Sequence, residues 1–148
     1  MYAYIDKDAD VIDYQVQRAD DEIGPYLTIG SVVKPSLGPW EVKFVDYTGD
    51  PMSRRYYYRI TSRDSCGSLD TVSNIATNIL LNAEAVGNLT CAITWSAYRD
   101  FDAGVDEYEV YRSINGVTLL PMLRLQKTQA LLMISSHLQT PKANTVIM

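Results

Sequence analysis

Asn88-Leu89-Thr90-Cys91-Ala92-Ile93-Thr94-Trp95-Ser96 places Leu89, Cys91, Ile93 and Trp95 in alternation with Thr90, Ala92, Thr94 and Ser96. Successive side chains of an extended chain point to opposite faces, so a strict period of two with one apolar face predicts a half-buried β-strand. The alternation returns downstream over residues 106–113, with Tyr108 and Val110 opposite Glu107, Glu109 and Tyr111. It also occurs upstream over 12–18, where Ile12, Tyr14 and Val16 oppose Asp13, Gln15 and Gln17. Three further runs fit the pattern: 26–33, 40–46 with Trp40, Val42 and Phe44 on one face, and 56–62 with Tyr56, Tyr58 and Ile60 on one face. Gly24-Pro25, Gly38-Pro39 and Gly49-Asp50-Pro51 punctuate these runs. No amphipathic helix is needed before residue 117, and short strands separated by turn signals predict an all-β, two-layered sandwich.

The strands recur in a longer pattern. Ala3, Tyr4, Asp6, Asp8, Ala9, Val11, Tyr14, Val16 and Arg18 return without a gap as Ala97, Tyr98, Asp100, Asp102, Ala103, Val105, Tyr108, Val110 and Arg112, a constant offset of 94, the distance from Ala3 to Ala97. That period is about one small sandwich domain, which predicts tandem modules and favours a scaffold over an enzyme. At the same offset Met1 falls on Trp95, so the chain is expected to begin partway through a module.

Composition narrows the function classes. The net charge is −5, and no Lys/Arg run is interleaved with aromatics, so nothing resembles a footprint for a phosphate backbone and no nucleic-acid partner is expected. The most apolar stretch, 117–134, is interrupted by Arg124 and Lys127, so no membrane span is expected. The first residues carry no secretion signal. Two cysteines, Cys66 and Cys91, are compatible with either redox compartment.

Residues 117–148 break the pattern: they contain no Asp, Glu, Gly or aromatic residue, whereas all 18 acids precede them. One reading is a shifted frame beginning near residue 117. Taking the third base of each codon with the first two of the next, residues 144–148 permit Tyr-Cys-Tyr-Tyr, a near copy of Tyr56-Tyr57-Tyr58. Met133-Ile134 must then give Asp, after codons that permit Ser-Phe-Val, like Phe44-Val45-Asp46. The competing reading is an amphipathic helix on Leu119, Met122, Leu123 and Leu125, continuing to Leu131 and Leu132, with Pro121 in its first turn.

The strands together support a family likeness over residues 1–116. Leu89-x-Cys91-x-Ile93-x-Trp95 resembles strand B of a fibronectin type III domain with its core tryptophan, and Tyr108-x-Val110-x-Arg112 resembles the start of strand C. Tyr56-x-Tyr58-x-Ile60-x-Ser62, with Arg63-Asp64-Ser65-Cys66-Gly67, is similar to strand F and the F–G loop, and so puts Tyr56 at the tyrosine corner. Phe44-Val45-Asp46 resembles the end of strand E in bacterial members. The Cys66 loop with Ser73-Asn74 is similar to tandem domains in large surface proteins of gliding bacteria with type IX secretion.

The resemblance implies an immunoglobulin-like sandwich in two incomplete tandem modules plus an anomalous tail. The expected boundaries are 1–76 (strands C to G), 77–116 (strand A near 78–81, then B and C) and 117–148. Strands A and B of the second module are not expected to close the first, because the return path spans ~20 Å at about 3.3 Å per residue with only a few linker residues. Missing strands predict exposed edges and a marginal or aggregation-prone chain.

Candidate sites follow, each with its plainer alternative. Asp6, Asp8, Asp10 and Asp13, echoed by Asp100, Asp102 and Asp106, offer carboxylates at alternate loop positions for calcium. The EF-hand pattern fails, with Val11 at the glycine position and Gln17 at the glutamate position, and the plainer reading is a solvated B–C loop. Cys91 reads as a small buried hydrophobe, or, by the immunoglobulin likeness, as half of a B-to-F disulfide whose partner exists only in the shifted frame. Cys66 sits in an exposed loop, and a Cys66–Cys91 bond is disfavoured because loop and core positions seldom approach within about 7 Å.

Arg54, Arg55, Arg59 and Arg63 with Tyr56, Tyr57 and Tyr58 suggest either an anionic or glycan-binding face or the solvent side of a strand. Asn88-Leu89-Thr90 is a glycosylation sequon that matters only in secreted eukaryotic proteins. The sole histidine, His137, lies in the tail, so no catalytic residue, metal or cofactor is expected.

The expectation is a non-catalytic spacer or protein-interaction module of an extracellular or cell-surface bacterial protein, with residues 73–78 as linker and Trp95, Tyr56, Tyr14, Tyr108, Cys91 and Cys66 as structural residues. Its partners would be neighbouring domains, or protein or glycan at the surface. The alternative is a carbohydrate-binding accessory module of a secreted enzyme, using an aromatic platform on Trp40 or Tyr57. A hydrolase domain is a third and weaker class.

Overall fold

Alternating apolar side chains make strands here, as the sequence predicts. In the computed structural model, which describes residues 2–87, 90–101, 105–118, 123–126, 131–135 and 145–146, every regular element is a β-strand and every pairing is antiparallel. The chain divides into two compact units, Met1–Leu80 with Ala97–Gly104, and Leu81–Ser96 with Val105–Met148.

The first unit contains β1 (Tyr2–Tyr4), β2 (Asp13–Ala19), β3 (Leu27–Val33), β4 (Glu41–Lys43), β5 (Tyr57–Arg63), β6 (Leu69–Val72) and β7 (Ala76–Thr77). One sheet runs β3-β2-β5-β6, with β7 also on β5, and the other is the pair β1-β4. Central β2 is buried on both faces: Tyr14 and Val16 are enclosed on one, Asp13 and Gln17 on the other. From β4, Val42, 1% exposed, packs with Tyr14 and Ile60, joined by Ala76 and Phe101. Burying one such aliphatic side chain is worth about 1.5–3 kcal/mol.

The β2–β3 ladder bulges between the pairs Val16–Gly30 and Gln17–Thr28. Gly30 lies in close approach there, since a Cβ would lie 2.5 Å from the Phe44 ring and displace it. The turn signals Gly24-Pro25 and Gly38-Pro39 are both cis peptides.

The second unit contains β8 (Leu81–Ala85), β9 (Thr90–Trp95), β10 (Glu107–Val110), β11 (Ser113–Ile114), β12 (Val117–Thr118), β13 (Leu123–Gln126), β14 (Leu131–Ser135) and β15 (Thr145–Val146). They pair as β14-β9-β8, β10-β13 and β12-β11-β15. Ile93, Trp95, Val110 and Leu125 form its core, and the Tyr108 ring meets Trp95 edge-on at 5.6 Å.

Three expectations are corrected. The strand expected over 78–81 is instead β8 at Leu81–Ala85, because Asn78 is committed elsewhere: its Oδ1 accepts the Tyr56 N–H at 2.6 Å and its Nδ2 donates to the Arg54 carbonyl at 2.9 Å. For the same reason residues 73–78 are not a free linker. β7 pairs with β5, and the Ser73 hydroxyl accepts the Ile60 N–H at 2.9 Å. The helix considered for 119–132 is not formed among the described residues, where β13 and β14 instead complete ladders on β10 and β9.

Candidate functional site

The acidic loop is held by local bonds. Asp6 accepts the Asp8 N–H at 2.9 Å, Asp8 pairs with Lys7 at 2.8 Å, and Asp10 accepts the Ser65 hydroxyl at 3.0 Å. Asp13 is turned away into the sheet, where Arg63 pairs with it. Asp100 accepts the Phe101 N–H at 2.8 Å, and Asp102 lies outside the described residues. No three carboxylate, histidine or cysteine groups converge on a metal position among the described residues.

Beside that loop a cavity of about 560 Å³ opens between β1 and the inner face of β2, β5 and β6. Tyr14, Val42, Ile60 and Phe101 form its apolar floor, and Asp6, Asp10 and Asp64 stand at its rim. Among the described residues no lysine or arginine lines it, although the Lys34 ammonium donates to the carbonyl of lining residue Ala9.

The most tightly built polar cluster centres on Asp46. Arg18 donates to Asp46 Oδ2 at 2.6 Å and to the Thr48 hydroxyl at 3.0 Å, and Tyr58 donates to the same Oδ2 at 3.0 Å. Asp46 Oδ1 accepts the Thr48 N–H and hydroxyl, both at 2.8 Å, and the Gly49 N–H at 3.2 Å. The Arg18 guanidinium also lies 4.7 Å from the centre of the Tyr56 ring. Buried Tyr56 accepts the Asp50 N–H on its hydroxyl at 3.1 Å, tying the strand back to the loop six residues upstream.

These contacts set the electrostatics. Burial opposes ionisation of Asp46, but the hydrogen bonds from Thr48, Arg18 and Tyr58 together outweigh it and bring its carboxyl down to about 2. Burial, then the bond to ionised Asp46, pushes the Tyr58 hydroxyl well above the ordinary tyrosine range. An ionised acid with its acceptor sites filled by donors is arranged to fix a fold rather than to move protons.

On the outer face of the five-stranded sheet the arginines pack across to neighbours. Arg59 donates to Gln17 at 2.7 Å and lies 4.2 Å from the centre of the Tyr26 ring, and Arg55 lies 5.2 Å from that of Tyr57. Tyr57 is therefore covered by a guanidinium, and Trp40 is partly buried. Cys66 is exposed, Cys91 is partly buried against the second core, and both are free thiols. Tyr14 and Tyr108 each lie on a strand and pack against the core of their own unit. Asn88 and Leu89 of the sequon and strand motif, and His137, fall outside the described residues.

Sequence reasoning did not single out Phe101, Asn78 or the role of Asp46. For Asp46 a signal existed: Asp-x-Thr-Gly is a turn in which the carboxylate bonds backbone two residues on. Phe101 gave none, because at the repeat offset its counterpart is Lys7.

Compared with models of known protein families the chain matches none, and comparison with curated proteins gives no significant match.

Proposed function

We propose that this chain is a non-catalytic spacer or protein-interaction module, built of fibronectin type III-like units and belonging to a multidomain bacterial surface or secreted protein. The observation that carries the reading is the Asp46–Arg18–Tyr58 cluster with its Tyr56–Asp50 tie. These contacts hold strand to loop, as a load-transmitting scaffold requires. A tyrosine at a strand start bonding back to upstream backbone is also what the tyrosine corner of such sandwiches does. The sequence pattern repeating at 94 residues supports a serial arrangement of modules, although the first unit takes in Ala97–Gly104 of the second copy.

In this reading residues 117–148 are translated in a shifted frame, even though β13 and β14 pair with β10 and β9 in the second unit. Sequencing the flanking DNA in all frames tests the whole proposal. Further copies of the 3–18 pattern at the same spacing, an export signal, and a frame change near residue 117 are expected. An isolated copy joined to a catalytic domain would overturn the spacer role, and native codons continuing through the junction would remove the frame-shift reading.

A further inference from the structure

We infer that the cavity beside β1 is a seat for an extended peptide strand carrying a basic residue, added to the free edge of β1. Three features of the first unit converge on this. First, β1 pairs with β4 on one edge only, and among the described residues no strand pairs with the other. Second, the cavity lies beside that strand, between Ala3, Tyr4 and Ile5 on one side and Ile60, Ser62 and Thr71 on the other. An unpaired strand edge next to an apolar trough is the geometry of strand addition, in which backbone bonds supply affinity and alternate side chains fill the trough. Its volume of about 560 Å³ accommodates a few side chains.

Third, the rim fixes the charge of the occupant. Asp6, Asp10 and Asp64 border the trough without a lysine or arginine among the described lining residues, so a lysine or arginine on the incoming strand is favoured and an acid opposed. This names a partner class for the interaction role proposed above and rests on that reading.

The test adds synthetic peptides to the full-length chain and follows backbone amide resonances. Lys-Thr-Ile-Thr-Ile-Thr-Lys is expected to shift the amides of residues 2–6 and of Ile60. The same peptide with glutamate for lysine should bind about tenfold or more weakly, and one with proline for the central threonine should not bind. Thr71→Trp, which fills the trough from an exposed position, should abolish binding while the amides of β2 and β5 stay in place. Should that variant disturb the sheet, Asp6→Asn with Asp10→Asn must weaken the lysine peptide several-fold. The idea is overturned if no peptide shifts these amides, if the proline peptide binds equally, or if hexylammonium reproduces the effect, which would make this a pocket for small cations. Flanking copies of the repeat without peptide binding would leave the spacer role standing and remove only the seat.

Discussion

Asp46 makes the acid stability of the first unit predictable from a single carboxyl. Its side chain is 10% exposed, and its value lies at about 2 in the folded chain against an ordinary 3.8. A depressed folded value means that the stabilisation is complete above the unfolded value and lost as pH falls through the folded one. At 1.36 kcal/mol per pH unit this is worth about 2 kcal/mol. Asp46→Asn should therefore destabilise by about that amount at pH 7, and the gap between wild type and variant should close between pH 4 and 2 in urea titrations followed by fluorescence. A gap that stays constant over that range would show that the carboxylate charge is not what Arg18, Thr48 and Tyr58 are holding. Gly30 is a second single-residue test. A Cβ there meets the Phe44 ring at 2.5 Å, so the ring must move to admit it. Gly30→Ala should cost about 1–3 kcal/mol, the usual penalty of overpacking. An unchanged melting temperature would place Phe44 elsewhere in solution.

At the scale of elements, the sequence pattern was legible wherever one face of a strand had to be buried. β2, β5 and β9 appear within one or two residues of their alternating runs, because a period of two is a direct record of which side faces the core. The run 40–46 shortens to Glu41–Lys43 because Asp46 recruits the Thr48 and Gly49 N–H groups into a turn and ends the extended chain. What alternation does not record is which strand a segment leaves to join, and the segment around Phe101 is the clearest case. Thr77 donates to the Arg99 carbonyl at 2.9 Å, Arg99 makes a two-pronged ion pair with Glu22 at 2.6 and 3.2 Å, and Phe101 enters the core at 8% exposure. The repeat assigns this stretch to the second copy by sequence, yet packing assigns it to the first unit. Phe101→Ala should lose about 3–5 kcal/mol, as aromatic deletions in a core do. Hydrogen exchange should report the loss in β2 and β5 and leave β9 unchanged, and equal loss in β9 would contradict the assignment of Phe101 to the first core.

For the whole molecule, the two hydrophobic clusters imply two unfolding events. Tyr14, Val42, Ile60, Ala76 and Phe101 form one core and Ile93, Trp95, Val110 and Leu125 the other, with no shared member. A cooperative transition follows the apolar contacts that are lost together, so separate cores melt as separate units unless something couples them. Calorimetry should give a total enthalpy larger than the van't Hoff enthalpy of either step. Phe101→Ala should lower only one transition, and Ile93→Ala, at a side chain 1% exposed, only the other. This pairing of variants is decisive because each removes buried volume from one cluster only. A single transition lowered by both variants to the same degree would mean that the chain folds as one body, and the modular reading of its sequence repeat would then lose its thermodynamic basis.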